Sequence, residues 1–335
     1  MKVAVLRFSA LGDVAMTVPV LWSAAQQNAG AEFVVVTRRP FCALYEDVAA
    51  NVSTYGCDLH GSHRGIFGMW RLARELGELG VDTVADLHDV LRTKMLRFFM
   101  RLHGCKVSRI NKGRGEKRLL VKNGWKRSEP LRPQTERYAD VFRHLGLRCE
   151  PVFDKLPLPR ADGLPQKPEG ARWIGVAPAA AHTAKAYPAE RLHTALVSLL
   201  EEPGVSLFFF GVEQSVKAEA ESLAKQYSGR VFHASQFAHG LRAELALMGR
   251  LDVMLTMDSA NMHLAALVGL KTVSIWGATH PWAGFLGYGQ SETDCIQSPR
   301  DCRPCTIYGA HPRCKAPYPC LQDVTPEAVK RSVEH

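Results

Sequence analysis

Short apolar runs alternate along this chain with stretches whose apolar residues recur every three or four positions. In the first half, residues 2–7, 32–37, 81–87 and 105–110 read as strands, and 14–28, 66–79, 90–103 and 135–145 as helices. Pro19 falls in the second turn of its helix, where a missing amide is tolerated better than at the centre. Residues 151–170 carry five prolines and little periodicity, which reads as a linker. The second half repeats the alternation. Strands are expected at 173–177, 205–210, 231–233, 253–256 and 272–276, with helices at 189–200, 216–227, 241–248, 259–268 and 326–333. Strands separated by helices imply parallel sheets. The pattern therefore predicts an α/β chain of two doubly wound, Rossmann-like domains, residues 1–155 and 171–335, joined through 156–170.

A chain of 335 residues can bury two cores of this kind. No apolar run approaches the ~20 residues that span a membrane. Only four consecutive apolar residues follow Lys2 before Arg7, so the start reads as a strand, not a signal peptide, and a cytoplasmic location is expected. Nine cysteines in such a compartment are expected as free thiols or metal ligands.

Charge changes the picture. The net charge is +9, and residues 60–133 hold 17 Lys or Arg against 7 Asp or Glu, so the rest of the chain is close to neutral. Such a concentration suits a solvated face or a large anionic partner, including an anionic lipid or phosphorylated glycolipid. Nucleic acid is disfavoured: residues 101–127 offer only Trp125 for base stacking.

The densest polar chemistry lies in Met257-Asp258-Ser259-Ala260-Asn261-Met262-His263, between a strand and a small-residue helix. Ligands of parallel α/β sheets bind at that edge. Ser259 reads as an N-cap, leaving the amides of Ala260, Asn261 and Met262 to meet an anion. The alternative is that Asp258 and Ser259 merely cap the helix. Three further loops fall at strand ends. In Ser9-Ala10-Leu11-Gly12-Asp13-Val14, Gly12 is expected to turn the backbone beside the helix. Asp13 there is either an N-cap or a base that takes a proton from a substrate hydroxyl. The loop lacks the Gly-x-Gly-x-x-Gly dinucleotide fingerprint, against a nicotinamide enzyme. Residues 177–188 place Thr183 and Lys185 among small residues, where Lys185 is a phosphate neighbour or a surface lysine. The loops at 210–213, with Glu213, and 236–240 offer room for a ribose and base. Cys302, Cys305, Cys314 and Cys320 read either as a four-thiolate structural zinc site or as a cysteine-rich loop packed on small side chains.

Together these motifs resemble the lipopolysaccharide heptosyltransferases of glycosyltransferase family nine. The resemblance rests on Ser9-Ala10-Leu11-Gly12-Asp13-Val14 and on Asp258 to Ala266 followed by Trp276-Gly277-Ala278-Thr279-His280-Pro281. Arg137-Tyr138-Ala139-Asp140-Val141, Leu145-Gly146-Leu147 and the tail at Cys320-Leu321 add to it. It runs along nearly the whole chain. It implies a GT-B fold, with a cleft between the domains, and an inverting transfer of a sugar, typically heptose from ADP-heptose, onto the inner core on lipid A. Asp13 would be the general base and Lys185 would neutralise the leaving diphosphate. Ser9, Gly12, Thr183 and Glu213 would join Asp258, Ser259, Ala260, Asn261, Met262 and His263 around the donor. His88, Arg92 and Lys94, after the strand at 81–87, would meet the acceptor. No cofactor is required, since no Asp-x-Asp metal motif is present, and the protein would work at the inner face of the inner membrane. Ala180 and Ala181 stand where hydroxyl residues are usual in the family, and Ser259-Ala260-Asn261 where Thr-Gly-Leu-Ser is common. Two other readings fit the layout: a nucleotide-sugar epimerase, and a non-catalytic binder of anionic glycolipid.

Overall fold

A computed structural model describes residues 1–335. The elements, in chain order, begin β1 (Lys2–Leu6), α1 (Leu11–Ala15), α2 (Thr17–Gln27), β2 (Glu32–Arg38), β3 (Val52–Cys57), α3 (Gly65–Glu78), β4 (Thr83–Asp86), α4 (Leu91–Leu102), β5 (Lys106–Arg109), α5 (Arg114–Asn123) and α6 (Gln134–His144). They continue β6 (Arg172–Ala177), α7 (Ala189–Leu200), β7 (Val205–Phe209), α8 (Gln214–Gln226), β8 (Val231–His233), α9 (Leu241–Met248) and β9 (Val253–Met257). The last are α10 (Ala260–Leu267), β10 (Thr272–Trp276), β11 (Cys295–Gln297), α11 (Pro319–Gln322) and α12 (Pro326–Glu334). No helix is long and apolar enough to cross a membrane.

The chain forms two compact units, one of residues 1–112 and 134–157, the other of 113–133 and 158–335. The first holds a five-stranded sheet in the order β3-β2-β1-β4-β5, every neighbouring pair parallel. β1, β2 and β4 are buried on both faces, as parallel strands covered by helices must be, and hence read as apolar runs. On one face α3 and α4 press Met69, Leu72, Leu76, Leu96 and Met100 against Ala4, Leu6, Val34 and Val84. On the other lie α2 and α6, with Phe142 edge-on to Phe33 at 6.1 Å. Gly68 lets α3 run close to its own entry loop, because a Cβ there would lie 2.3 Å from the His63 carbonyl carbon.

The second unit holds six parallel strands in the order β11-β10-β9-β6-β7-β8. Its core joins Ile174, Val176, Leu207, Leu255 and Ile275 to α7, α8 and the closing helix α12, whose Val329 and Val333 settle against α7. The two-layered alternation expected from the sequence is thus present in both units.

Several elements differ from the sequence reading. The helix expected at 14–28 starts at Leu11 and breaks at Met16 into α1 and α2. Gly12 therefore sits inside α1 with no left-handed backbone, and the tight turn expected of it is absent. β3 escaped notice because Val52-Ser53-Thr54-Tyr55-Gly56-Cys57 is an edge strand with a half-solvated, mixed face. α5 lies in a basic stretch that buries only Lys117 and Leu120, too little for a visible helical period. The 151–170 stretch has no helix or strand, but it is not loose. The Val152 amide donates to Ser23 Oγ at 3.0 Å in the first unit. In the second, Arg250 donates to the Leu164 and Pro165 carbonyls.

Residues 113–133 belong with the second unit because backbone and side chains tie them there. The Trp125 amide donates to Arg303 O at 2.9 Å, Trp125 Nε1 to Arg300 O at 3.1 Å, and the Leu131 amide to Trp282 O at 2.8 Å. The Trp125 ring stacks on His280 at 5.3 Å and meets Trp282 edge-on at 5.6 Å. Truncating Trp125 to Ala should cost roughly 2 kcal/mol, below the ~3–5 of a fully buried tryptophan. Limited trypsinolysis should then cut the basic 114–127 stretch several-fold faster while far-ultraviolet dichroism stays unchanged. Unaltered protection there would show that the tryptophan is not what holds this segment.

Candidate active site

At the end of β1 the chain places a charged side chain, Arg7, where burial is nearly complete at 6% exposure. A buried guanidinium must be paired and hydrogen-bonded. Arg7 Nη1 donates to Leu87 O at 2.9 Å, and Nη2 meets Asp13 Oδ2 at 2.5 Å. Its face also lies 5.9 Å from the Tyr138 ring centre. Burial disfavours the cation, but the surrounding Tyr138, Asp13 and Tyr45 groups outweigh that, leaving the guanidinium above its ordinary value. Asp13 itself stays partly open to solvent and also accepts the Ala10 amide at 3.4 Å, closing the first turn of α1. One carboxylate oxygen is thus fixed by Arg7, on a helix start at the carboxyl edge of the sheet.

His88 belongs to the same edge. The Phe8 amide donates to His88 Nδ1 at 3.4 Å, and the Phe8 and His88 rings meet edge-on at 5.9 Å. Burial, then the Arg7, Lys112 and Arg92 charges, lowers His88 to about 3, so it is neutral at physiological pH. Beneath it Arg97 reaches Asp86 and Asp89, each at 3.1 Å. Burial raises Asp86 despite the amides of Asp89 and His88 and the Arg97 charge. The structure therefore brings His88 beside the loop of Asp13. Arg92 and Lys94 do not join that contact, and their side chains are exposed on the first turn of α4.

In the second unit, the loop after β6 and the turn after β9 meet. Lys185 Nζ lies 2.9 Å from Asp258 Oδ2, with side-chain exposures of 13% and 8%. Thr279 Oγ1 donates to the same oxygen at 2.8 Å. Two glycines allow this approach. A Cβ on Gly277 would lie 2.4 Å from Ala184 O, and one on Gly309 would lie 2.5 Å from Lys185 Cδ. Ser259 occupies the N-cap of α10, but its hydroxyl turns to Thr256 Oγ1 at 3.1 Å and caps no amide. Ala260 and Asn261 are half-buried and Met262 and His263 buried. Thr183 bonds the Tyr318 hydroxyl at 2.9 Å. Glu213 is exposed at the N-cap of α8 after β7, with its carboxylate against Gly211, where a Cβ would come within 2.9 Å. His233 Nε2–H donates to Gly211 O at 2.9 Å and fixes that loop.

Sequence reasoning passed over Arg7 and His233, and gave Thr279 only as part of the Trp276 to Pro281 motif. The signal for Arg7 was available: a charge directly after a buried strand needs a partner. His233 gave none, and the contact of Thr279 with Asp258 gave none, since both depend on which loops meet.

The four cysteines are free thiols, Cys302 exposed, Cys314 half-buried, and Cys305 and Cys320 buried. No group of three or more His, Cys, Asp or Glu side chains is arranged to hold a metal ion. Buried Arg303 lies near them instead and donates to the carbonyls of Gly277, Ser298, Trp276 and Thr279. Burial lowers its guanidinium to about 10 against the opposing pull of the Cys320, Cys302 and Cys305 thiols. As placed, these thiols do not form a four-ligand zinc set.

Two parallel-sheet units whose charged loops gather at carboxyl strand ends have the architecture of the GT-B fold. The model of glycosyltransferase family 9 (heptosyltransferase) matches residues 69–313, and the chain belongs to that family. A family 9 glycosyltransferase from Veillonella parvula shares the fold with a TM-score of 0.73 at 20% identity, over 99% of this chain and 96% of that one. The E. coli ADP-heptose lipopolysaccharide heptosyltransferase II does so at 0.72 and 18% identity, over 100% and 98%. E. coli heptosyltransferase WaaC, solved with ADP, gives 0.67 and 18%, over 100% and 99%. No curated protein matches the chain.

The two neutral histidines give a pH signature. His88 and His280 are both lowered to about 3, each by burial first. The unfolded chain binds a proton near the ordinary value of 6.5, so stability is complete above it and falls as pH drops from 6.5 toward 3. Each histidine should cost about 2 kcal/mol by pH 5. In denaturant melts, His88→Gln should flatten the loss between pH 6.5 and 5 by that amount. An unchanged slope would mean that His88 takes up its proton as readily in the folded protein as in the unfolded chain.

Proposed function

We propose that this enzyme transfers a heptose from ADP-heptose, with inversion at the anomeric carbon, onto the lipid A inner core of lipopolysaccharide. The observation that carries the reading is the Lys185–Asp258–Thr279 cluster at the carboxyl ends of β6, β9 and β10. Ligands of such sheets bind at that edge, and a lysine beside a helix N-terminus suits a diphosphate. Membership of the heptosyltransferase family and the ADP bound in one structural neighbour support the choice of nucleotide.

In this reading Lys185 turns from Asp258 to the diphosphate as the donor enters, and Asp258 takes sugar hydroxyls. Ser259, Ala260, Asn261 and Met262 line the turn, with His263 behind it, and Ser9, Gly12, Thr183 and Glu213 complete the donor contacts. Bond breaking at the anomeric carbon builds positive charge on the sugar and negative charge on the departing nucleotide. Lys185 and the first-turn amides of α10 supply the opposing field. Asp13 takes the proton of the attacking hydroxyl, and its pair with Arg7 orients the carboxylate, leaving its second oxygen for the substrate. His88, neutral, offers a hydrogen bond to the acceptor, with Arg92 and Lys94 for its phosphates. The basic stretch and the lipid-borne acceptor suit work at the inner face of the inner membrane.

Asp13→Asn should cut turnover about 10²- to 10⁴-fold while calorimetric ADP affinity stays within about twofold. Lys185→Ala should weaken ADP binding about tenfold or more, a loss of roughly 1.4 kcal/mol. Selective binding of UDP or GDP would keep the transferase and reject the ADP donor. Full activity of Asp13→Asn would reject the base.

A further inference from the structure

Large apolar side chains are not scattered over this protein's surface. Seven of its thirteen exposed ones lie on α3, α4 and the residue closing α3. Both helices bury one face in the first unit's core, Met69, Leu72, Leu96 and Met100 pointing inward. Their outer faces should then be polar, as on a solvated amphipathic helix. Instead Phe67 is 83% exposed, Leu102 69%, Phe98 58% and Trp70 47%. The two helices pack side by side, so these residues belong to one surface.

Cations border that surface. Arg64, Arg71, Arg74, Arg92, Lys94 and Arg101 are exposed there. The one exposed acid on either helix, Glu78, is paired with Arg74 at 3.4 Å. α4 contains no acid at all, and its remaining arginine, Arg97, is spent on Asp86 and Asp89. Arg74 also sits 5.5 Å over the Trp70 ring. A second copy of this chain is a poor occupant, since an isologous dimer would set like charge against like. Apolar side chains ringed by arginine and lysine match the boundary between headgroups and acyl chains in an anionic bilayer.

We infer that the outer faces of α3 and α4 dock this protein on an anionic phospholipid membrane. Phe67, Trp70, Phe98 and Leu102 enter the boundary, and Arg64, Arg71, Arg74 and Arg101 meet lipid phosphates. Both helices start at the carboxyl ends of β3 and β4, and β4 pairs with β1, whose end carries Asp13. Docking there sets the Asp13 edge at the membrane surface, where an acceptor anchored by acyl chains would present its sugars. That consequence rests on the lipid-borne acceptor proposed above; the docking itself does not.

The experiment is sedimentation of the full chain with phosphatidylcholine vesicles, with and without about thirty per cent phosphatidylglycerol, at low and high salt and without any sugar substrate. Wild-type protein should partition at least tenfold better onto the anionic vesicles, and high salt should reverse this. Phe67→Ser/Phe98→Ser and Arg71→Glu/Arg101→Glu should each lose about tenfold with unchanged melting temperature and unchanged turnover on a delipidated acceptor. Failure of wild-type protein to partition, or equal partition onto neutral vesicles, would overturn the inference. So would a self-associated form dissolved by Phe67→Ser/Phe98→Ser. Because no donor or acceptor is present, none of these outcomes depends on the sugar chemistry.

Discussion

A guanidinium buried at the end of the central strand sets the geometry of the first unit. Left unpaired, Arg7 would cost more than a small core returns, so its partners are obligatory. They come from three directions: Asp13 from α1, Leu87 O past β4, and the Tyr138 ring from α6. The candidate base is thereby one leg of a structural network. Its position follows from satisfying a charge, and no flexible loop has to hold it. Arg97 does the same one layer away, joining Asp86 at the end of β4 to Asp89 in the following turn.

The second unit answers the same problem differently. Arg303 is as buried as Arg7 but has backbone carbonyls where Arg7 has a carboxylate, and burial accordingly pulls it down to about 10. Three of the four carbonyls belong to Trp276, Gly277 and Thr279, the strand end and loop that deliver the Thr279 hydroxyl to Asp258. Arg303 thus staples the loop behind the candidate donor site, and its neighbour Trp125 shares the attachment.

Much of this was legible in the sequence because parallel strands buried on both faces must be continuous apolar runs. β1, β2, β6, β9 and β10 announced themselves in that way. β3 did not, since an edge strand needs only one apolar side, and α5 did not, since it buries two residues. The candidate site was half legible. Asp13, Lys185 and Asp258 stand out as charges at predicted strand ends, where geometry gives them a common edge within each unit. That Lys185 touches Asp258, and that Thr279 joins them, depends on loop closure over 73 and 21 residues of chain, which no local pattern encodes. Gly12 shows the converse: a glycine in a motif suggests a turn, yet here the helix begins before it.

The basic excess between residues 60 and 133 also has a different meaning once the chain is folded. Contiguous in sequence, it is divided in space, because 113–133 leaves the first unit and is built into the second. In that segment Lys126 is matched with Asp301, and Lys117 lies over the Phe285 and Tyr308 rings. In the first unit, Arg92, Lys94 and Arg101 are exposed on α4, a helix without an acid, while on α3 Arg74 pairs with Glu78 and the exposed Arg71 lies near Glu75. Charges that a protein needs for its own architecture are buried and compensated, as Arg7, Arg97 and Arg303 are. Cations that remain in solvent beside protruding phenylalanine and leucine serve no such internal need. That contrast makes the α3–α4 face a surface for a partner, and its sign and its apolar centre together make the partner anionic and amphipathic.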